Sequence, residues 1–297
     1  MSDQEAESGS DSISGLLSRE PGPNNATVHC GSPGRSKPSN PAGSNAGRPV
    51  KKTPHPNPPR HKGKVVAEKV LHAFNTWAFK REQPDNPLLM LQIISHSITM
   101  DEPIPFVLYW GKGPRGTVGA PEIECMEYIA SLARRVRDAY PPGAAIKLIF
   151  TDSHAALNGH SQSNIRAYFA EIEACARRYG FEHCWLSQLT LAEEALVAKD
   201  LLEDPAPDHG ILEQLATAAA KWYFGDESPE RAALAYYKMN MVEKRAVEIA
   251  FPRSIFITFN GSRLRVLFPK RLPIFYMYSL RRGVSVKPWF FRAEPAH

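Results

Sequence analysis

Apolar positions fall into alternating stretches of helical and extended spacing, all beyond residue 64. Val66, Val70, Ala73, Phe74 and Trp77 recur every three or four residues, so the spacing predicts a helix over 65–80. The run Ile104 to Trp110 is apolar, ends at Gly111 and reads as a buried strand. Pro121 then opens a helix with Glu122 and Glu124 in its first turn, where the helix dipole favours acids. Ile123, Met126, Ala130 and Ala133 line that helix, which ends before Pro141-Pro142-Gly143. Residues 144–152 are rich in branched side chains and predict a second strand.

Ile165, Tyr168, Phe169, Ile172 and Tyr179 make a further helical stripe, closed by Gly180. A third strand over 181–189 follows, then helices over 190–202, 210–223 and 229–250. The last of these starts with Ser228 as N-cap and Pro229 in the first turn. The final third changes character. Residues 254–259, 264–269 and 272–280 read as strands, with Asn260-Gly261 as a hairpin turn. Strand, helix, strand, helix predicts an α/β fold: a Rossmann-like, mainly parallel sheet flanked by helices, with a β-rich C-terminal part.

Composition alters this picture at the N-terminus. Of 297 residues, 43% are hydrophobic, enough for a core, but residues 1–64 hold almost none of the large ones. That segment carries ten of the 26 prolines. Residues 1–20 hold five acids and one Arg; residues 21–64 hold eight bases and no acid. Such a chain cannot bury enough surface to offset its ordering entropy, so 1–64 is expected to be a disordered basic, Pro-rich tail and 65–297 the α/β domain. The net charge of +5 therefore reflects the tail, since 65–297 is nearly neutral. A second basic run, 253–292, has nine Lys or Arg and no acid. It fits an anionic ligand, a contact with the acidic body, or nucleic acid read through interleaved aromatics, the last being the least specific signal. The acidic, polar start and the lack of any apolar run near ~18 residues point away from secretion and membranes, to the cytoplasm. Cys30, Cys125, Cys175 and Cys184 form no CxxC pair, so neither a zinc ribbon nor a disulfide scaffold follows.

Open parallel sheets place ligands beyond the carboxyl ends of their strands. Two segments therefore carry the candidate chemistry. The glycine-rich loop 111–119 contains Lys112 and Arg115, which could hold an anion such as phosphate, and leads to Glu122, which could contact a substrate amine or satisfy the helix N-terminus. Asp152 and His154 follow the second strand and are candidates for proton transfer or for holding an amine. His154 and His160 lack the spacing of a helical metal pair, and no metal or other cofactor is implied. Lys287, in Lys287-Pro-Trp-Phe290, is a further candidate cation.

The order of these segments resembles the isocyanide (isonitrile) synthase family of the pyoverdine/dityrosine biosynthesis type, from about Ile104 to Phe290, in a divergent form. The resemblance rests on Trp110-Gly-Lys112 with Gly119-Ala-Pro121-Glu122, on Tyr140-Pro-Pro-Gly143 and the strand to Asp152, on Tyr168, and on Phe251 to Asn260 with Lys287-Pro288-Trp289. It implies an enzyme of secondary-metabolite biosynthesis that turns an amino-acid amine into an isonitrile, with ribulose 5-phosphate as carbon source and no cofactor. Lys112, Arg115 and Lys287 would hold the phosphate, Glu122 the substrate, and Asp152 and His154 the protons. A downstream oxygenase is an implied partner. The sequence departs from the family where Ser153-His154 follow Asp152 in place of Gly, where Ile255 to Asn260 lacks the family's Arg and His, and where Phe290 replaces a His. Those departures sustain a second reading, a non-catalytic member that binds a phosphorylated metabolite or a protein.

Overall fold

The computed structural model describes residues 60–111, 117–192, 209–223 and 225–278. The tail assigned to 1–64 lies outside them but for its last residues, as do 193–202 of the expected helix and everything after Tyr278. The described elements run α1 (Arg60–Phe74), α2 (Pro87–Met100), β1 (Ile104–Trp110), α3 (Ala120–Ala139), β2 (Ala144–Phe150), α4 (Asp152–Leu157), α5 (Gln162–Arg178) and β3 (Glu182–Trp185). They continue with α6 (Leu186–Ala192), α7 (His209–Trp222), α8 (Pro229–Ala250), β4 (Ile255–Thr258), a 3₁₀ helix (Ser262–Leu267) and β5 (Ile274–Tyr276). The first helix thus starts ahead of the compositional boundary at residue 64.

Five strands form one parallel sheet in the order β3-β2-β1-β4-β5. The α/β reading therefore holds. β1 and β2 pair along their whole length, from Ile104 opposite Ala144 to Trp110 opposite Phe150. Both faces of the sheet are covered, which is why its strands read as continuous apolar runs rather than alternating ones. On one face Phe106, Leu108, Leu148, Phe150, Ile257 and Phe275 join the core under α1, α3 and α5. On the other, Val107, Ile149, Phe256 and Ile274 pack with Leu186 of α6 and Val247 of α8. Phe74, at the end of α1, is fully buried and meets Phe106 and Phe275 edge-on, with centroids 5.4 and 5.2 Å away. One side chain thereby ties α1 to a central and an edge strand.

Four expectations are corrected. The hairpin at Asn260-Gly261 does not form: β4 and β5 are parallel neighbours, and a two-residue turn joins only antiparallel strands. The connection contains the 3₁₀ helix, so the expected strand over 264–269 is absent; Leu267 and Phe268 are buried instead. Helix α1 ends at Phe74, and Trp77 lies 85% exposed with Lys80 over its ring, outside the apolar face. The stretch expected as one strand over 181–189 is strand only to Trp185 and then turns into α6. Helix α2 had no counterpart in the sequence reading. Its start is built from Asn86, in the left-handed region at φ 52°, whose side chain accepts from the N–H of Leu89 at 3.1 Å, followed by Pro87. None of the described helices is long and apolar enough to cross a membrane.

Phe74→Ala should cost about 3–5 kcal/mol, because the cavity it leaves lies between two strands that cannot close on it. Trp77→Ala should change stability by less than about 0.5 kcal/mol. Urea unfolding of both variants checks the pair of outcomes.

Candidate functional site

The chain runs outward from β1 through β2 to β3, then crosses back to place β4 on the other side of β1. The carboxyl ends of β1 and β4 are thus followed by segments that leave in opposite directions. An open α/β sheet has its ligand crevice at such a switch point. A cavity of about 40 Å³ lies there. Tyr109 and Gly111 come from the end of β1, Thr151 and His154 from the passage after β2, and Thr258 and Asn260 from the end of β4. Tyr236 and Asn240 of α8 line the same space, with Phe256, Phe259 and Phe268 as apolar walls.

The most unusual chemistry at the cavity is a buried imidazole–carboxylate pair, of which His154 lines the space and Glu243 lies behind it. His154 sits in the first turn of α4 and is 5% exposed; Glu243, on α8, is 2% exposed. The His154 ring nitrogen Nε2 lies 2.6 Å from Glu243 Oε2, and Ser153 Oγ donates to Oε1 of the same carboxylate. Glu243 thus receives two hydrogen bonds from consecutive residues of α4. With Nε2–H donating to the carboxylate, Nδ1 is left as the basic nitrogen. Tyr236 packs its ring edge-on against His154 at 5.1 Å, and Tyr109 lies 6.2 Å away, centroid to centroid. The Tyr109 hydroxyl is buried and has no hydrogen-bond partner among the described residues. Burial above all, and then the nearby Glu243, push its pKa well above the ordinary value, so it stays a neutral phenol. Burial raises Tyr236 as well, a hydrogen bond with Asn240 works against this, and Glu243 and Tyr109 add to the rise.

The site residues expected from the sequence are distributed unevenly. His154 is in the cavity wall. Asp152 is not: its carboxylate accepts from the Ser187 N–H at 3.1 Å and from the Ser187 hydroxyl, which ties the start of α4 to α6. Glu122 is 1% exposed and accepts from the N–H of Gly119 at 3.0 Å, so of its two expected roles the structure displays the helix cap. Lys112, Arg115 and Lys287 lie outside the described residues. The described end of the glycine-rich loop is pinned, since the N–H of Val118 donates to Glu171 of α5 at 2.9 Å. Glu243, Tyr236, Asn240 and Tyr109 were missed. A polar row at positions 236, 240 and 243 was visible as helical spacing, but it reads equally well as a solvated face. Among the described residues no group of three or more His, Cys, Asp or Glu could hold a metal ion.

Comparison with known proteins gives a fold and little more. No protein-family model matches the chain, and no curated protein matches it. Among solved structures, the PvcA protein of Pseudomonas aeruginosa is similar with a TM-score of 0.56 and 16% sequence identity. The likeness covers 76% of this chain and 88% of that one. The chain thus shares its fold with that protein. A tyrosyl-tRNA synthetase of Pyrococcus horikoshii, solved with L-tyrosine, reaches a TM-score of 0.40 at 10% identity over 68% of this chain and 52% of that one, too slight a likeness to argue from.

The two buried phenols make stability depend on alkaline pH. Each keeps its proton to higher pH in the folded state than in the unfolded state, so its contribution is complete below the ordinary value of 10.0 and is lost as pH rises beyond it. Urea denaturation of the Tyr109→Phe, Tyr236→Phe double variant should therefore show a shallower loss of stability above that pH than the parent. Equal slopes would mean that the phenols are not held in the interior.

Proposed function

We propose that the chain is an isocyanide-synthase-like enzyme that converts the amine of an amino acid into an isonitrile, with ribulose 5-phosphate supplying the carbon. The observation that carries this reading is the buried His154–Glu243 pair in a cavity at the sheet's switch point. Condensation of an amine with a ketone, the proton shifts that follow and the loss of phosphate need a base that can take and return protons away from water. Nδ1 of His154 would do that work. Glu243 fixes the tautomer and stabilises the imidazolium that forms. Ser153 holds Glu243, and Asp152, through Ser187, positions α4.

The cavity's position sets how a substrate would enter. With the reacting carbonyl and amine beside His154, the sugar phosphate would lie toward the mouth. Gly111 lines the cavity and the chain continues from it into Lys112 and Arg115, which suits a phosphate grip there. Lys287 would add a third cation, and an oxygenase would take the isonitrile onward. A second reading, a non-catalytic member that binds a phosphorylated metabolite, rests on the departures from the family pattern at Ile255 to Asn260 and at Phe290.

Incubation of the protein with ribulose 5-phosphate and each of the twenty amino acids, followed by trapping with a tetrazine, should give an isonitrile adduct. His154→Gln should lower the rate by about 10²–10⁴-fold. Calorimetric binding of the sugar phosphate with no adduct from any amino acid would replace the enzyme by the binding reading.

A further inference from the structure

The Tyr109 hydroxyl is not accounted for by proton transfer at His154. A buried phenol normally finds an acceptor, because an unpaired one has given up its hydrogen bonds to water with nothing in return. Tyr109 has none among the described residues, yet it stands at the carboxyl end of the central strand and lines the cavity. Its ring is fixed by the edge-on contact with Phe256 at 5.0 Å, so it cannot swing to a distant partner. The acceptor it lacks would have to come from a bound molecule.

We infer that Tyr109 is the hydrogen-bond donor to the carbonyl oxygen of a ketone substrate, placed so that the adjacent carbon faces Nδ1 of His154. A base beside a neutral donor is the arrangement for proton abstraction next to a carbonyl. The His154 Nδ1 lone pair takes the proton, the C–H electrons become the C=C bond, and the carbonyl π pair moves to oxygen. The growing negative charge meets the Tyr109 O–H, and reversal returns a proton to carbon. The step balances with no oxidant, reductant or metal. Glu243 neutralises the imidazolium, so the charge that moves in the site is confined to the pair and the substrate oxygen. A carboxylate or phosphate is a poorer occupant next to His154, since Glu243 already places a negative charge there. This inference rests on the reading above for its ketone but not for its amine.

The test is exchange of hydrogen for deuterium at the carbons flanking the ketone of ribulose 5-phosphate, followed by proton NMR in D2O with no amine present. The full chain should catalyse exchange, His154→Gln should abolish it, and Tyr109→Phe should slow it by about 10²–10³-fold, as for loss of one donor to an oxyanion. Circular dichroism establishes that each variant is folded, and Tyr128→Phe, on α3 outside the cavity lining, serves as a second phenol removal that should retain exchange. Exchange at an unaltered rate in Tyr109→Phe, or no exchange by the parent chain, overturns the inference. Exchange that depends on Tyr109 without an isonitrile from any amino acid upholds it and removes the reading of the overall reaction.

Discussion

A carboxylate in the protein interior is the constraint around which the cavity is organised. Glu243 has almost no contact with water, and an unpaired charge there would cost several kcal/mol. It is tolerable because α4 brings two donors, Ser153 and His154, to its two oxygens. Those donors are successive residues in the first turn of a short helix that begins where β2 ends. The need to satisfy Glu243 therefore locks α4 against α8 across the strand ends. It also orients the imidazole, so a structural requirement and a chemical one are met by the same bonds.

A second buried carboxylate does comparable work five positions further along α8. Glu248 accepts from the N–H groups of Lys270 and Arg271 and pairs with Arg245 at 3.0 Å. Arg265 meanwhile donates to the carbonyls of Phe268, Pro269 and Lys270 and pairs with Asp85. These bonds hold the passage between the 3₁₀ helix and β5, which lacks regular structure of its own. The basic C-terminal run is thus partly spent on satisfying backbone carbonyls and buried acids. Its density of Arg and Lys is no measure of a surface for anions.

The sheet supplies the precision of the site. Apolar side chains on both faces leave the strands no freedom to slide, because a shift of one residue would exchange the two buried faces. Tyr109 is consequently held to the face of Phe256 and Val247, while its neighbours Leu108 and Trp110 point into the opposite core, where the Trp110 N–H meets the Tyr168 hydroxyl at 3.2 Å. The phenol next to His154 is a product of strand register, and the imidazole a product of the β2 to α4 turn.

What the amino-acid order determined was the kind of fold: apolar runs at β1 and β2, helices with one apolar stripe between them, and the switch from strand to chemistry after residue 150. Those signals are local, so period and punctuation suffice to read them. His154 was legible as a residue following a strand. Its partner was not, since Glu243 lies about ninety positions away in a helix whose acids look solvated until α8 is docked. The same reason hid the parallel pairing of β4 with β5: Asn260-Gly261 favours a turn by local propensity, and only the neighbours already occupying the sheet decide against it. Burial of charge and strand order belong to tertiary structure, because desolvation and pairing depend on what other segments bring to a place, and no single stretch of chain encodes its own surroundings.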